Sequence, residues 1–515
     1  MAGDVRGLNW LYVASTRRRS VAIAAGKWFS YAALTGVLLS PGLWFGPVFD
    51  AAAFMLVGSG IRSGGMPYRD YWDDKPPGLY LLDALSQAVL PWLDRWLVCW
   101  LLTLALTVGA AIILESLLRP RVGAAMAWIA ALVSTFFVAC YPVALGGGYG
   151  ESFALPFVLT AVWLLSRTER RLREVALTGL LLSVGCLLSV QAAPAAVAIG
   201  LAAVVGKEIR GTTRRMISLV AAGVVLPLLA VGWLVWGGAA AQAYDLLVRY
   251  NTAFYIQNGQ STFWLNLLIA VVLLAALWPA LAAQVVWWSR KRDRIDRVAA
   301  ACVAWSLASL ASFVYDQRLF LHYLILLVPA LVVIAAPAYT RLWSRLRHSE
   351  AVLRWIAVVA QGITLAMLLT ALVVTVQWPG STYAITTAWH TDEMAVSSWI
   401  RVNTTVSATV FVWGDHPEIY LDSDRSPACP YIYLDPMTTQ GYWSPQATAE
   451  LVARWQSNPP AVVVETPSVV PLFRPASSSA GDNRTYDTLD PLRAFVRSNY
   501  RLAYSEGQAD VWVEK

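Results

Sequence analysis

Long apolar stretches, separated by short polar and basic segments, run along most of the chain and predict helices that cross a membrane. Such a helix needs about 20 apolar residues, because each residue adds about 1.5 Å to its length. The stretch from 175 to 205 is long for one span and short for two, and Gln191 and Pro194 mark the break that we predict within it. The eleven predicted spans are residues 28–48, 96–118, 122–142, 151–166, 175–190, 191–205, 216–237, 263–289, 298–315, 319–338 and 355–377.

Two long regions are left outside the membrane, a loop at 49–95 and a C-terminal tail at 378–515. The tail alternates segments of helical and strand-like spacing, which predicts a small α/β domain. We therefore expect an N-terminal tail at 1–27, a membrane module at 28–377 and a separate domain at 378–515. In that domain the predicted helices are 391–402, 446–456 and 491–499, the predicted strands are 408–413, 460–465 and 509–514, and 472–487 is a predicted mobile loop.

The composition agrees with a polytopic membrane protein. Hydrophobic residues make up 57% of the 515 residues, charged residues only 14%, and the mean hydropathy is +0.54. Soluble domains carry about 25% charged residues, so a soluble enzyme and a disordered chain are excluded. The five cysteines have no metal-like spacing and do not form a disulfide framework. The net charge is +7. In a membrane protein such an excess of basic residues is typical of cytoplasmic loops, so we expect no nucleic-acid partner.

Basic clusters set the predicted orientation. All of them fall on one side of the membrane if the N-terminus is cytoplasmic, which agrees with the positive-inside rule. Eleven spans then place the C-terminal domain on the extracytoplasmic side. The first apolar run lacks a small-residue cleavage site, so we expect an uncleaved first span in a multi-pass protein of the cell (inner) membrane. The clusters lie at 17–19, 167–173, 207–215, 290–294 and 341–354.

The first external loop carries the candidate chemistry. Asp50 ends the first span and precedes a short amphipathic stretch, and a second apolar stretch follows the charged turn at 67–77. This pattern predicts two helices that lie along the membrane surface and are joined by the turn. Asp50 would then share one interface with Asp73, Asp74 and Lys75. Such a mixed-charge pocket at headgroup level suits a substrate with a lipid tail and a phosphate.

The same loop contains an extended motif, Asp50…Phe54…Gly58…Gly65-x-Pro67-Tyr68-Arg69-Asp70-x-x-Asp73-x-Lys75-Pro76-Pro77. The motif resembles the first external loop of GT-C glycosyltransferases. The nearest likeness is to the bacterial branch related to protein O-mannosyltransferases and to the aminoarabinose transferase of lipid A. The likeness covers most of the chain and includes 146–152, 318–323 and 412–436. It implies the GT-C fold, with about eleven transmembrane helices, surface helices in the first external loop and a C-terminal α/β domain.

The resemblance also implies a reaction. These enzymes move a sugar from a polyprenyl-phosphate donor to an acceptor hydroxyl outside the membrane, usually with inversion at the anomeric carbon. The acceptor would be a glycan, lipid or protein of the cell envelope. Asp50 matches the family's general base, and Lys75 matches its phosphate-contacting lysine. A hydroxyl needs a base in the transition state, whereas a phosphate leaving group needs a cation, so both residue types suit their roles.

Further residues match the family's pattern around this centre. Glu151 matches the second-loop acid, which orients the acceptor or assists the base. Arg318 is a second candidate for the donor phosphate. Asp74 and His322 match positions that hold a divalent ion in some relatives, so a metal cofactor (Mg, Mn, Ca or Zn) is a candidate. Other candidate site residues, with no defined role, are Asp70, Asp73, Tyr68 and Tyr323.

Each of these residues also has a structural interpretation. Asp50 can act as a helix N-cap, and Glu151 can occupy a first helical turn, where the helix dipole favours an acid. His322 can be a packed interface histidine, and Asp70 can pair with its neighbour Arg69. The charged turn can be a solvated loop with local ion pairs. The remaining histidines, His348, His390 and His416, have no partner at metal-ligand spacing.

Two other classes of function compete with a glycosyltransferase. A transporter or flippase for a lipid-linked saccharide would show internal repeats or polar residues near mid-membrane, and we detect no repeat. A membrane-anchored sensor would need neither eleven spans nor the charged first loop. The concentration of charge in that loop favours chemistry at the membrane interface, with the tail selecting or covering the acceptor.

Overall fold

The computed structural model describes residues 24–47, 49–167, 171–205, 209–255, 263–291, 295–316, 319–346, 390–439, 441–466 and 487–515. The chain is predominantly helical, with a small sheet near the C-terminus. The membrane module contains α1 (24–39), α2 (Pro41–Phe45), α3 (Phe49–Arg62), α4 (Pro77–Val89), α5 (Arg95–Val122), α6 (Ala124–Ala139), α7 (Tyr141–Ala144), α8 (Gly150–Leu165), α9 (Leu172–Leu188), α10 (Ala193–Val204), α11 (Ile209–Gly223), α12 (Val225–Trp236), α13 (Ala240–Tyr244), α14 (Phe263–Leu273), α15 (Trp278–Lys291), α16 (Arg297–Asp316) and α17 (Leu324–Leu346).

The C-terminal part has shorter elements. Its helices are α18 (390–403), α19 (Glu418–Ser423), α20 (Asp435–Thr438), α21 (Pro445–Ser457) and α22 (Asp490–Asn499). Its strands are β1 (Thr409–Trp413), β2 (Ser426–Pro427), β3 (Val462–Glu465), β4 (Tyr500–Glu506) and β5 (Ala509–Glu514).

The helices support a multi-pass membrane protein. Among the described residues, four helices are long and apolar enough to cross a membrane, or up to six if each of two bent helix pairs is one span. The predicted break between 175 and 205 is present as a 3₁₀ turn at Val190–Ala192, which separates α9 from α10. The predicted span at 355–377 lies outside the described residues, and the count of eleven stays a prediction. The four long helices are Arg95–Val122, Arg210–Trp236, Arg297–Tyr315 and Leu321–Ser344.

The first external loop folds into the two predicted helices, α3 and α4, which pack against each other. Helix α3 runs at 76° to the helix before it, as expected for a helix that turns from a span onto the membrane surface. Gly58 allows the two helices to approach closely, because a Cβ atom there would lie 2.9 Å from the Ala84 backbone nitrogen. Gly78 likewise allows α4 to approach the end of α9, because a Cβ atom there would clash with the backbone carbonyl of Leu187. Both helices are therefore held against the membrane module.

The C-terminal sheet confirms an α/β domain. The strand order is β2-β1-β3-β5-β4, with β1 parallel to β2 and β3, and β5 antiparallel to β3 and β4. Alternate residues of β1 face opposite layers, as the pleat of a strand requires. Phe411 and Trp413 pack with Trp455 of α21, while Val410 and Val412 belong to the cluster that includes α18. The predicted strands and helices are present, but β2, β4, α19 and α20 were not predicted. Most residues of β4 are exposed or half-buried, and β2 has only two residues. The predicted loop at 472–487 lies almost wholly outside the described residues.

The domain rests directly on the first external loop. The Trp72 backbone nitrogen donates to the Pro430 carbonyl (2.7 Å), and the Trp72 indole nitrogen donates to the Tyr442 hydroxyl (3.2 Å). Tyr442 in turn donates to Asp245 (2.7 Å), in the helical segment that follows α13. The rings of Trp72, Tyr250 and Tyr442 pack edge to face, with centroids 4.8 to 6.2 Å apart. This aromatic contact fixes the domain over the charged turn.

Candidate functional site

Asp50 lies in the first turn of α3, where the helix dipole stabilises a carboxylate. The next residues, Ala51 to Ala53, are buried and small, so the start of the helix lies close to its neighbours. Asp50 itself keeps some solvent exposure, although protein surrounds it on most sides. This position leaves the carboxylate accessible to a substrate while the helix beneath it is fixed.

A run of glycines brings Glu151 towards Asp50. Gly146, Gly147 and Gly148 have φ values of +87°, +115° and +90°, in the left-handed region that favours glycine. A Cβ atom on Gly148 would lie 2.6 Å from the Ala51 Cβ, so a larger residue could not pack here. Helix α8 starts directly after this run, and Glu151 is buried in its first turn, 7% exposed. The Ser189 hydroxyl donates to Glu151 Oε1 (2.9 Å).

The charged turn is held by two tyrosines. The Tyr68 hydroxyl donates to the Lys75 carbonyl (2.8 Å), and the Lys75 backbone nitrogen donates to the Tyr80 hydroxyl (3.2 Å). Tyr68 has a φ of +68°, which is uncommon for a residue with a Cβ atom. The hydrogen bonds and the buried ring of Tyr68 hold this conformation in place. Tyr68 therefore positions Lys75, a role that the sequence left undefined.

Three acids and one lysine share the pocket. Asp73 and Asp74 are buried at 3% and 7% exposure, and Lys75 Nζ lies 2.5 Å from Asp74 Oδ1. Burial raises the pKa of Asp50, the positive charge of Lys75 opposes the shift, and the charges of Asp74 and Asp415 add to it. Burial likewise raises the pKa of Asp73, whose Oδ2 has no hydrogen-bond partner among the described residues. Among the described residues, Lys75 thus faces an excess of buried acidic groups.

The second group of predicted residues lies beside this pocket. Glu151 and His322 both interact electrostatically with Lys75. The His322 ring stacks on Tyr149 and on Phe320, with centroids 4.3 Å and 5.4 Å apart. Tyr323 is buried and packs edge to face against the His322 ring (4.8 Å). Arg318 lies outside the described residues, so its contact with a donor phosphate stays a prediction.

Asp70 has a different environment from the other acids of the turn. Its carboxylate pairs with Arg69 through two hydrogen bonds of 2.7 and 2.8 Å and accepts a third from the Met66 backbone nitrogen. The hydrogen bonds from Arg69 hold the pKa of Asp70 below its usual value. Arg69 also donates to the Gly237 carbonyl (2.7 Å) at the end of α12. Asp70 thus anchors the turn to the membrane module.

The C-terminal domain contributes two residues that the sequence analysis missed. Asp415 follows β1 and adds its negative charge to the environment of Asp50. The Asp415 carboxylate also accepts a hydrogen bond from the Leu434 backbone nitrogen (2.8 Å), which fixes Tyr433 nearby. Tyr433 is buried and interacts electrostatically with Asp50, Asp73 and Asp415. Both residues lie in the segment 412–436, which resembles the family but to which the sequence analysis assigned no roles.

The domain also holds an acid–histidine cluster. His416 Nδ1 lies 2.7 Å from Glu393 Oε1 and 2.8 Å from Glu418 Oε1. In the described part of the chain, this is the one group of three or more His, Cys, Asp or Glu whose geometry could hold a metal ion, and it includes neither Asp74 nor His322. The expectation that His416 lacks a partner at metal-ligand spacing was therefore wrong. Glu418 is two residues away, and Glu393 comes from α18.

Comparison with solved structures defines the class of protein. The structure is similar to the crystal structure of ArnT from Cupriavidus metallidurans bound to undecaprenyl phosphate, with a TM-score of 0.58, 15% identity and 96% of each chain covered. The apo state of the same protein gives a TM-score of 0.57 at 13% identity, covering 97% of this chain and 98% of that chain. The archaeal oligosaccharyltransferase AglB from Archaeoglobus fulgidus, in complex with an inhibitory peptide and a dolichol-phosphate, gives 0.50 at 12% identity, covering 86% of this chain and 69% of that chain.

These similarities confirm the expected fold. The protein is a multi-pass membrane protein with the GT-C fold. A family model, described as the putative competence-induced protein Ccs4 N-terminal domain, matches residues 53–354. Because this match covers more than half of the chain, the protein belongs to that family. No curated protein matches the sequence.

Proposed function

We propose that the protein is a glycosyltransferase that moves a sugar from a polyprenyl-phosphate donor to an acceptor hydroxyl on the extracytoplasmic side of the membrane. The observation that carries this proposal is the pocket that joins Asp50, at the start of α3, to Lys75 in the charged turn. The pocket lies between the membrane module and the domain, where a lipid-linked donor and a polar acceptor can meet. Its acids and the ammonium group of Lys75 suit a displacement in which phosphate leaves.

In the proposed reaction the acceptor oxygen forms a bond to the anomeric carbon while the bond from that carbon to the phosphate oxygen breaks. Asp50 takes the proton of the acceptor hydroxyl, and the electron pair of the broken bond leaves with the polyprenyl phosphate. A direct displacement of this kind inverts the anomeric centre. The raised pKa of Asp50 favours this role, because a stronger base removes a hydroxyl proton more readily.

Lys75 links donor binding to the basicity of Asp50. Its ammonium group lowers the pKa of Asp50 and pairs with Asp74. When a donor phosphate contacts Lys75, part of this positive charge is neutralised, so the pKa of Asp50 rises further. The base would therefore be strongest once the donor is in place. We propose Arg318 as a second phosphate contact.

Glu151 and the domain serve the acceptor in this proposal. Ser189 holds Glu151 in one orientation, from which it can accept a hydrogen bond from an acceptor hydroxyl or assist Asp50. Tyr433 and Asp415 lie on the domain side of the pocket. An acceptor entering between the domain and the first loop would meet these residues first. The acceptor in this proposal is a glycan, lipid or protein of the cell envelope.

The test uses the full-length protein in nanodiscs with polyprenyl-phosphate monosaccharides and a cell-envelope extract as the acceptor. Release of polyprenyl phosphate is followed by mass spectrometry for the wild type, for Asp50→Asn and for the matched control Asp490→Asn, an acid that pairs with Arg493 on the domain surface. We expect Asp50→Asn to lose at least about 100-fold in release while it still binds polyprenyl phosphate. Asp490→Asn should match the wild type.

Two outcomes would contradict the proposal. Equal release by Asp50→Asn and the wild type would remove Asp50 as the base, and Glu151→Gln would then be tested in the same assay. Donor binding without release, for every donor and acceptor fraction tried, would favour a transporter or flippase for lipid-linked saccharides.

A further inference from the structure

The cluster of Glu393, His416 and Glu418 has a geometry that its own hydrogen bonds do not fully explain. One imidazole nitrogen, His416 Nδ1, lies within 2.8 Å of two carboxylates at once. One nitrogen carries at most one hydrogen, so it cannot give both carboxylates a full hydrogen bond. The ligand atoms of all three side chains lie within 4.8 Å of one another.

Glu418 provides a second, independent observation. The residue is 7% exposed, and its Oε2 atom is buried with no hydrogen-bond partner in the part of the chain that the structure describes. A buried carboxylate oxygen without a partner is unfavourable, and two carboxylates held close together also repel each other. The Glu393 carboxylate is also largely buried, with 10% of its side chain exposed. A bound cation would remove both penalties.

We propose that Glu393, His416 and Glu418 bind a divalent metal ion, with Zn²⁺ as the preferred ion. An imidazole nitrogen with carboxylate oxygens is a common zinc donor set, whereas Ca²⁺ and Mg²⁺ prefer oxygen donors alone. Tetrahedral zinc, with bonds of about 2.1 Å, separates its ligand atoms by about 3.4 Å. The side chains already lie near that separation, so small side-chain shifts suffice. The fourth position would be filled by water.

The ion would tie together separate parts of the domain. Glu393 belongs to α18, Glu418 begins α19, and His416 lies in the segment that leaves β1. Helix α19 packs against α3 of the membrane module. Asp415, which faces the environment of Asp50, is the neighbour of His416. The metal would thus hold the segment that carries Asp415 against the first external loop.

This inference does not depend on the proposed transfer reaction, because its test measures bound metal. The full-length protein in nanodiscs is stripped with a chelator, incubated with ZnCl₂, passed over a desalting column and analysed by inductively coupled plasma mass spectrometry. We expect the wild type to retain a single zinc ion per chain. We expect zinc affinity to fall at least about 10- to 100-fold in His416→Ala and in Glu418→Gln, by analogy with the loss of residues that support metal ligands. The matched control Glu450→Gln, on the exposed face of α21, should retain zinc.

A second measurement uses the wild type alone, in case either variant fails to fold. X-ray absorption at the zinc edge should show nitrogen and oxygen donors, with the multiple-scattering signature of one imidazole and no sulfur. Zinc bound equally by the wild type and by a folded His416→Ala variant would overturn the proposal. So would sulfur ligation, or the absence of retained zinc in the wild type, and the cluster would then be a hydrogen-bonded network without a metal.

Discussion

This protein has two buried groups of acids, and the nitrogen group that each surrounds differs. In the first external loop, Asp50, Asp73 and Asp74 surround the ammonium group of Lys75. In the domain, two glutamates surround the imidazole of His416. The lysine lies on a long side chain that is 35% exposed, whereas the side chain of His416 is 20% exposed. A lysine can turn from a carboxylate to an incoming phosphate, whereas a fixed imidazole suits a metal ion.

The difference agrees with the two proposals, in which the loop group binds substrate and the domain group is structural. The loop group has more acids than the ammonium group of Lys75 can balance, and in the proposed reaction it faces the donor and the acceptor. The side chains of the domain group are largely buried, and they come from separate elements of one domain. Asp415 lies between the two groups, adjacent to His416 in sequence and electrostatically coupled to Asp50. Substitutions in the two groups should therefore have separable effects.

The largest effect is expected for Lys75→Met, which keeps most of the length of the side chain and removes its charge. We expect transfer to fall about 100- to 1,000-fold, as for loss of one group that stabilises a developing negative charge. Bound zinc should be unchanged, because Lys75 lies outside the domain group. The measurements are polyprenyl phosphate release and zinc content on the same preparation. Lys75→Arg should recover part of the activity, and loss of zinc in Lys75→Met would contradict the separation of the two groups.

A pH effect is expected for Asp415→Asn. The charge of Asp415 raises the pKa of Asp50, so its removal lowers that pKa. Asp50 acts as a base only when ionised, and activity falls as the pH drops through its pKa. The acid limb of the pH–rate profile should therefore move to lower pH in the variant. The asparagine oxygen can still accept from the Leu434 nitrogen, which keeps the local structure. A shift to higher pH, or no shift, would show that Asp415 does not act on the base.

A smaller effect is expected for Ser189→Ala, which removes the hydrogen bond to Glu151. One such bond contributes about 1 kcal/mol, which corresponds to about a 5-fold change in rate. The loss should appear in use of the acceptor, because Glu151 is assigned to it, while the affinity for polyprenyl phosphate stays the same. Transfer rates measured at varied acceptor concentration and at varied donor concentration separate the effect on the acceptor from any effect on the donor. Ser189→Thr, which keeps a hydroxyl, should retain most of the activity.

The smallest effect is expected for Asp70→Asn. Asp70 belongs to neither group of acids, and its partner Arg69 is largely exposed. Exposed ion pairs contribute at most about 1 kcal/mol, so the thermal midpoint and the transfer rate should change little. A loss of transfer as large as that of Asp50→Asn would move Asp70 into the catalytic centre and would contradict its role as an anchor of the turn.

The sequence allowed much of the first loop to be predicted, because its site residues lie in one contiguous motif. Spacing alone predicted the membrane helices, three of the tail's helices and three of its strands, whereas the GT-C fold followed from the resemblance of the first-loop motif to a known family. The domain group was missed, because Glu393 and His416 are distant in sequence and only packing of α18 beside β1 brings them together. The contribution of Asp415 to the charge around Asp50 was missed for the same reason, because the two residues are distant in sequence. The first depends on packing within the domain and the second on how the domain docks on the loop, and a local sequence pattern predicts neither.

The most direct test of the account is a cryo-electron microscopy structure of the protein in nanodiscs with undecaprenyl phosphate. We expect the phosphate to lie at Lys75, with its lipid tail directed into the membrane module and Asp50 facing the side from which an acceptor would approach. The same map would show whether Lys75 has turned away from Asp74. A phosphate bound elsewhere, with the pair between Lys75 and Asp74 intact, would contradict the proposed donor site and the role of Asp50 that depends on it.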